Sequence, residues 1–328
     1  RQLLAQSTIA DKSVFFEQYD SMVRTSTVVG PGSDAGVLRV RGTRKGLAMT
    51  TDGNGRFVYL DPEIGGKMAL TEAAANLIAT GAEPLANTDC LNYGDPTDPE
   101  IFWELHHSVM GMAEACRVFD TPVISGNVSL YNENNGQAIH PTPMVGMVGL
   151  IKNLDRVIPM AAQHAGDVVY LLGQTGDDFA GSELQKLLTG DIAGALADFD
   201  LQATRDNFHR LLAEMQAGHV ASAHDLAEGG LGVGLAEILF KTELGVNLTL
   251  ALTKDQFFAE TAGRMIVTVP VEHTAAFEAA LGTAVTKVGE VTNSHWLQVR
   301  LADGQVNENV QALQTIWEEA IPCQLKSK

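Results

Sequence analysis

Cysteine is scarce in this chain: three residues, Cys90, Cys116 and Cys323, among 328. They lie far apart and form no C-x-x-C pair, which argues against a disulfide framework or a zinc site and for a reducing, cytoplasmic compartment. Basic residues are also few. Twenty-two Lys and Arg stand against 40 Asp and Glu, a formal charge of −18. Nucleic acids and anionic membranes attract positive fields, so neither is an expected partner. Long hydrophobic runs are missing too: stretches such as residues 144–151 are far short of the ~20 residues that cross a bilayer. The opening Arg1-Gln2-Leu3-Leu4-Ala5-Gln6 turns polar by Asp11 and does not read as a signal peptide. It lacks an initiating methionine, which reads as a fragment of a longer protein.

The common catalytic signatures are absent as well. Gly66-Lys67 is followed by Met68, so there is no P-loop, and neither H-E-x-x-H nor G-x-S-x-G occurs. Gly230-Leu231-Gly232-Val233-Gly234 approaches a dinucleotide loop, but its last spacing is wrong. His106 and His107 are neighbours on an expected helix and point about 100° apart, a poor arrangement for sharing a metal.

What is present is a layered pattern. The length suggests two domains of ~150 residues, enough to bury a core without disulfides. Residues 1–35 read as a linker and entry segment, 36–160 as a first domain and 161–328 as a second. In the first, strands are expected at 36–41, 46–51, 85–89, 122–126 and 144–151, with helices at 67–80 and 98–119. The second of these helices has Asp98 as N-cap and Pro99 at N1. Its apolar set Ile101, Leu105, Val109, Met112 and Cys116 recurs every three or four residues, so one face is buried. Past Asp155 the alternation restarts, with strands at 167–173, 220–223, 245–252, 264–269, 284–291 and 295–301. Helices are expected between and after them at 181–189, 204–217, 232–241, 273–281 and 307–320. The fold class is α/β, with mixed sheets covered by helices.

Polar residues gather where strands end. Thr50-Thr51-Asp52-Gly53, Asn87-Thr88-Asp89-Cys90 and Ser125-Gly126-Asn127-Val128-Ser129 each close a strand. Ligands of α/β proteins commonly sit at such ends. Asp89 and Asn127 offer the oxygen that Mg²⁺ prefers. Gly126 lets a phosphate or ribose approach the backbone, and Ser129 shares a side with Asn127 if the strand continues. Asp and Asn at strand ends more often serve turns and caps, so spacing alone leaves both readings open. Arg39, Arg41, Arg44 and Lys45 form the chain's basic cluster, which could attract phosphate or guard a solvated edge strand. The segment from Ala223-His224-Asp225 to Glu228-Gly229-Gly230 leads from strand to helix; its glycines either free N–H groups for an anion or pack loop against sheet.

Taken together these segments are familiar. Tyr19-Asp20-Ser21-Met22-Val23-Arg24-Thr25, Pro31-Gly32-Ser33-Asp34-Ala35 and Asp89-Cys90-Leu91-Asn92-Tyr93-Gly94-Asp95-Pro96 resemble the phosphoribosylformylglycinamidine synthase family, in its small bacterial synthetase form. So does Gly126-Asn127-Val128-Ser129-Leu130-Tyr131-Asn132. The likeness runs from residue 1 to about 320 and is to the C-terminal half of that subunit. It implies the two-domain fold shared with aminoimidazole ribonucleotide synthetase, the first domain being of dimerisation type and carrying the ATP and Mg²⁺ site. An N-terminal half with an E-S-H-N-H-P segment and the catalytic histidine has no counterpart here.

By resemblance, the reaction is ATP-dependent conversion of formylglycinamide ribonucleotide and ammonia to the amidine in purine synthesis, through a phosphorylated amide. Ammonia comes from a glutaminase subunit, helped by a small accessory subunit. The resemblance assigns Asp89 and Gly126 to ATP, Asn127 to Mg²⁺ and Ser129 to the ribonucleotide. Asp52, Arg56, His224 and Asp225 are weaker candidates, for a second, non-turning-over nucleotide. Alone, the chain is expected to be inactive and to pair with itself through a face meant for the other half. The alternatives are a non-catalytic nucleotide-binding module completing a pseudo-dimer, or another ATP-dependent enzyme of the same superfamily.

Overall fold

The protein, described over residues 1–326 of a computed structural model, consists of two α/β layers that share a core. A four-residue helix α1 (Ser13–Phe16) precedes the first sheet. That sheet contains β1 (Thr27–Val29), β2 (Gly36–Arg39), β3 (Gly46–Asp52), β4 (Glu83–Asn92), β5 (Val123–Ser129) and, past the short hairpin β6 (Glu133–Asn134) and β7 (Gln137–Ala138), β8 (Thr142–Ile151). The order is β1-β2-β3-β8-β4-β5, antiparallel throughout except for the parallel pair β4 and β5.

Helices α2 (Gly55–Leu60), α3 (Pro62–Ala79) and α4 (Pro99–Phe119) belong to this domain. Asp61 caps α3 by accepting from Ile64 N at 3.0 Å, and Asp98 caps α4 by accepting from Glu100 N at 2.9 Å. Each cap is followed by a proline at the first helical position, where a missing N–H costs nothing. Helix α3 begins five residues before the expected start at 67. Gly65-Gly66 weakens the helix signal there, yet Gly65 lets α2 approach and Gly66 lets α4 approach. A Cβ on Gly66 would lie 2.3 Å from Ser108 O, and one on Gly111 would lie 2.0 Å from Glu63 O.

Strand β8 alternates strictly, with Pro143, Val145, Met147, Gly149 and Ile151 buried under the helices. Among the described residues no helix covers the opposite face of the sheet. Leu38, Leu47, Met49 and Leu85 are exposed there, and Leu47 and Met49 sit opposite Leu150 and Val148 of β8. Strand β5 forms the edge and is exposed at every position before Ser129.

The second sheet holds β9 (Val168–Leu172), β10 (Ser222–Asp225), β11 (Gly245–Thr249), β12 (Met265–Val269), β13 (Val285–Thr292), β14 (Trp296–Leu301) and β15 (Gly304–Asn309), in the order β10-β12-β9-β13-β11-β14-β15. Helices α5 (Glu183–Thr189), α6 (Leu201–Ala217), α7 (Gly230–Glu237), α8 (Thr274–Leu281) and α9 (Val310–Lys326) flank it. The last expected helix, 307–320, begins later than expected because residues 304–309 pair with β14 as a strand. In β9 both faces are buried. Val168, Tyr170 and Leu172 face the core shared with α3, α4 and α6, while Val169 and Leu171 face a second core. The shared core includes Phe119 of α4 and Phe208 of α6, with ring centroids 6.1 Å apart. The second core takes in Leu3, Leu4 and Ile9, so the first residues of the chain are packed rather than trailing. No helix among the described residues is long and apolar enough to cross a membrane.

Candidate active site and an interdomain carboxylate cleft

The parallel pairing of β4 with β5 sets Asp89 beside Gly126, Cys90 beside Asn127 and Asn92 beside Ser129. Four of the residues singled out in the sequence therefore lie on adjacent strands. They do not all share a face, because side chains alternate along a strand. Asp89 points to the α4 side, where its charge reaches Cys116 and Tyr93 and where burial raises its own carboxyl pKa. Gly126 leaves room for it: a Cβ there would lie 2.1 Å from Asp89 Oδ1. Asn127 points to the open side, with its amide nitrogen 3.7 Å from Cys90 Sγ and its oxygen without a hydrogen bond among the described residues. The strand does continue to Ser129, so Ser129 shares this side with Asn127. Asp89 and Gly126 thus flank one face of the sheet edge, Asn127 and Ser129 the other.

The other candidates divide. His224 and Asp225 line an open cleft of about 600 Å³ between the domains; Asp52 lies behind its wall, hydrogen-bonded to the lining residue Asn76 and close enough to add to the raised pKa of Asp225. His224, on β10, lies with Nδ1 2.5 Å from Asp34 Oδ1 and Nε2 3.1 Å from Glu237 Oε2. Burial opposes charging the imidazole, but the two flanking carboxylates outweigh it and hold its pKa well above the usual value. Asp34, His224 and Asp225 have donor atoms within 4.8 Å of one another, and Asp34 Oδ2 is buried without a partner. Asp52 accepts from Asn76 Nδ2 at 2.9 Å; burial and then Glu228 push its pKa up to about 8. Burial, followed by Asp52, raises Glu72 well above its ordinary range. Lys12 reaches the same cleft, its pKa lowered chiefly by burial.

Arg56 is turned away from this group. Its Nη1 pairs with Glu183 Oε1 at 2.6 Å and its Nε donates to Gly181 O at 2.8 Å, joining α2 of the first domain to the start of α5 in the second. Nearby, Glu260 Oε1 accepts from Glu183 N at 2.9 Å and Gly229 N at 2.7 Å. One buried carboxylate thus caps the N-termini of both α5 and α7. The glycine-rich segment after His224-Asp225 is therefore no vacant anion site: a side chain of the protein already occupies the amide of Gly229. The basic cluster resolves too. Strand β2 ends at Arg39, so Arg41 lies in the following turn rather than on a shared strand face, and Arg44 pairs with Asp155. The rings of His106 and His107 lie 5.2 Å apart, tilted against Phe102 and Trp103 respectively, and although His107 Nδ1 is 3.5 Å from Glu63 Oε2, they form no metal-ligand cluster among the described residues.

Sequence reasoning missed Asp34, Glu72, Asn76 and Glu237. Glu72 and Asn76 are four residues apart on α3, a spacing that puts both on one helix face and was legible. Asp34 and His224 are 190 residues apart, and nothing local links them.

Two domain patterns cover most of the chain: AIR synthase related protein, N-terminal domain, over residues 32–151, and the corresponding C-terminal domain over residues 164–302. Sheet topology and matched regions agree in defining an AIR synthase-related, two-domain α/β protein. The chain is 79% identical over 327 residues to the phosphoribosylformylglycinamidine synthase subunit PurL of Limosilactobacillus fermentum, and 71% identical over 330 residues to that of Limosilactobacillus reuteri. Essentially the whole chain is matched, against 44% of either relative's length, so it spans less than half of these proteins. Within its class, it belongs to the phosphoribosylformylglycinamidine synthase family, as the resemblance to one half of that subunit led us to expect. Among solved structures, phosphoribosylformylglycinamidine synthase II from Thermotoga maritima gives a TM-score of 0.75 at 18% identity, covering 97% of this chain and 52% of that one. Thermotoga maritima PurL complexed with FGAR gives 0.74 at 19%, covering 90% and 50%. At such identities the likeness is one of fold.

Proposed function

We propose that this chain supplies half of the active site of an ATP-dependent ligase that converts formylglycinamide ribonucleotide and ammonia to the amidine. The observation that carries the reading is the β4–β5 edge, where Gly126 clears the space beside Asp89 and Asn127 presents an amide oxygen. Solved Thermotoga maritima relatives with ATP, ADP and FGAR support the ligand classes.

In this reading Asp89 and the backbone at Gly126 hold ATP, and Ser129 contacts the ribonucleotide. Mg²⁺ fits the oxygen that Asn127 offers and, when bound, neutralises charge on the transferring phosphoryl group. The chain's own contribution is to orient ATP and the amide from opposite faces of one strand, so that their reacting atoms can meet at its edge. A separate half contributes the remaining groups, and the exposed apolar face of the first sheet suits it as a partner. A glutaminase subunit and a small accessory subunit supply ammonia in the cytoplasm; a solved Thermotoga maritima assembly titled PurLQS supports such partners. Asn127→Ala in the full-length subunit is expected to lower kcat at least tenfold with ammonia as nitrogen donor; unchanged turnover would remove the assignment.

The interdomain cleft supports a second reading, a cation-linked nucleotide site that does not turn over. Asp34 Oδ2 is buried without a partner, and several carboxyls around it have raised pKa values. Asp34 and Asp225 would hold the cation, with His224 beside them, while Asp52 lies outside this cluster. Arg56 falls outside this set. Calorimetry of the chain with Mg-ADP tests it: binding lost in Asp225→Asn supports the reading, and binding unaffected by that change removes it.

A further inference from the structure

The loop that leaves β5 is held by one side chain. After Ser129 the chain turns through Tyr131, whose φ of 61° is a left-handed conformation uncommon for a bulky residue. Tyr131 N donates to Gly94 O at 2.9 Å and Asn132 N to Tyr93 O at 3.1 Å, so the turn is stitched to the end of β4. The Asn132 amide nitrogen then lies 3.0 Å from Tyr93 O, 2.9 Å from Ser129 O and 3.2 Å from Ser129 Oγ. Its oxygen is 3.3 Å from Ser129 Oγ. Tyr93 is fully buried, its backbone N donates to Ser129 O at 3.0 Å, and its hydroxyl is 2.6 Å from Ser108 Oγ on α4.

We infer that Asn132 is a positioning residue for the ribonucleotide: it fixes the Ser129 hydroxyl and ties it to the buried Tyr93–Ser108 pair. The inference rests on the reading of Ser129 as a substrate contact. A serine hydroxyl samples three staggered wells. Contact with both ends of the Asn132 amide selects one of them. Because Asn132 approaches from the loop side, the remaining side of the hydroxyl stays open, on the face shared with Asn127. Asp89 and Gly126 lie on the opposite face, so releasing Ser129 should leave ATP binding undisturbed.

The test is a double-mutant cycle in the full-length subunit with ammonia as nitrogen donor. Asn132→Ala is expected to raise the KM for formylglycinamide ribonucleotide about tenfold, the scale of one lost hydrogen bond plus a freed rotamer. The KM for ATP should stay within about twofold of wild type, as should that of Ser129→Ala. For the ribonucleotide KM the double variant should be no worse than Ser129→Ala alone, because the backbone contacts of Asn132 to Tyr93 O and Ser129 O hold the loop and reach the ribonucleotide only through that hydroxyl. A merely structural role would instead give multiplicative losses and a raised KM for ATP, and either result overturns the inference. If Ser129→Ala raises the ribonucleotide KM but Asn132→Ala does not, the positioning role falls and the substrate contact stands. If Ser129→Ala has no effect, both fall. Should Asn132→Ala fail to fold, Asn132→Ser, which keeps a polar group but cannot bridge the same three acceptors, takes its place in the cycle.

Discussion

His224 Nδ1 of the second domain lies 2.5 Å from Asp34 Oδ1 of the first, and Glu237 Oε2 lies 3.1 Å from the other ring nitrogen. The imidazole is thus a charged link across the cleft, facing Asp34 from the loop before β2, Asp225 beside it on β10 and Glu237 from α7. Its raised pKa means that its stabilising contribution is complete below the unfolded value of ~6.5 and is lost as pH climbs through the folded value. Asp52 and Glu260 act in the same direction. Each has a folded pKa pushed up to about 8, so the folded state binds protons that the unfolded state has released from about pH 4 upward. Tm should therefore fall between pH 6 and 8.5, by about 3 °C or more. Differential scanning calorimetry of wild type and His224→Gln checks this: the variant should show the shallower decline. If the cleft takes a divalent cation, added Mg²⁺ should restore more Tm at pH 8.5 than at pH 6, because it competes with protons for the same carboxylates.

Arg56 and Glu183 make the second cross-domain link, and its energetics differ. Glu183 is fully buried and the Arg56 side chain is 12% exposed, so removing Arg56 leaves a buried carboxylate whose remaining counter-charge is the partly exposed Lys186, 3.4 Å away. Stranding a buried charge outright costs about 3–5 kcal/mol and losing an exposed pair under ~1, so a loss of about 2–3 kcal/mol is expected. Arg56→Ala should lower the urea midpoint accordingly. Arg56→Ala combined with Glu183→Gln should recover part of the loss, because no buried charge remains and Lys186 can turn to water.

The crossing of α3 and α4 sets helix propensity against packing. Replacing a mid-helix glycine by alanine gains up to ~1 kcal/mol from propensity. At Gly111, however, the new methyl would lie 2.0 Å from the backbone oxygen of Glu63, an atom on another helix that cannot turn aside. Packing should win. Gly111→Ala is expected to destabilise by at least ~2 kcal/mol net, read from chemical denaturation. A stabilised variant would mean that the helices separate easily.

Local chemistry made much of this fold legible. Asp98-Pro99 announces α4, and the apolar run 144–151 announces the central strand β8, although its alternating burial shows only in the structure. The strand-end set at Asp89, Gly126, Asn127 and Ser129 was visible because it needs only β4 and β5 to pair. What escaped depends on contacts between distant segments. The start of α3 hides behind Gly65-Gly66, whose reasons lie on α2 and α4, and the end of β15 reads as the beginning of α9 because its partner β14 decides its state. The glycine-rich loop looked open to anions because Glu260, which fills it, comes from 31 residues further on. The net charge of −18 likewise says nothing of where carboxylates meet; the cleft gathers acids from two loops, two helices and β10.

The remaining prediction concerns the uncovered face of the first sheet. Met49 and Leu47 of β3, paired with Val148 and Leu150 of β8, continue into Leu38 of β2, making an apolar surface on strands whose other face is fully packed. Single exposed hydrophobics are ordinary, but a contiguous set on one sheet face marks an interface. The chain spans 44% of the length of the relatives it matches, and under the proposed function the remaining half of such a subunit would cover this face. In its absence a second copy can use the same surface symmetrically, provided the pair buries on the order of 1,000 Å². Sedimentation of this chain should therefore show a dimer. Met49→Glu places a charge in the middle of the patch and should shift it to monomer without lowering Tm, since the side chain is already 42% exposed. A wild-type chain that stays monomeric at high concentration, or a Met49→Glu dimer as tight as wild type, would put the interface elsewhere.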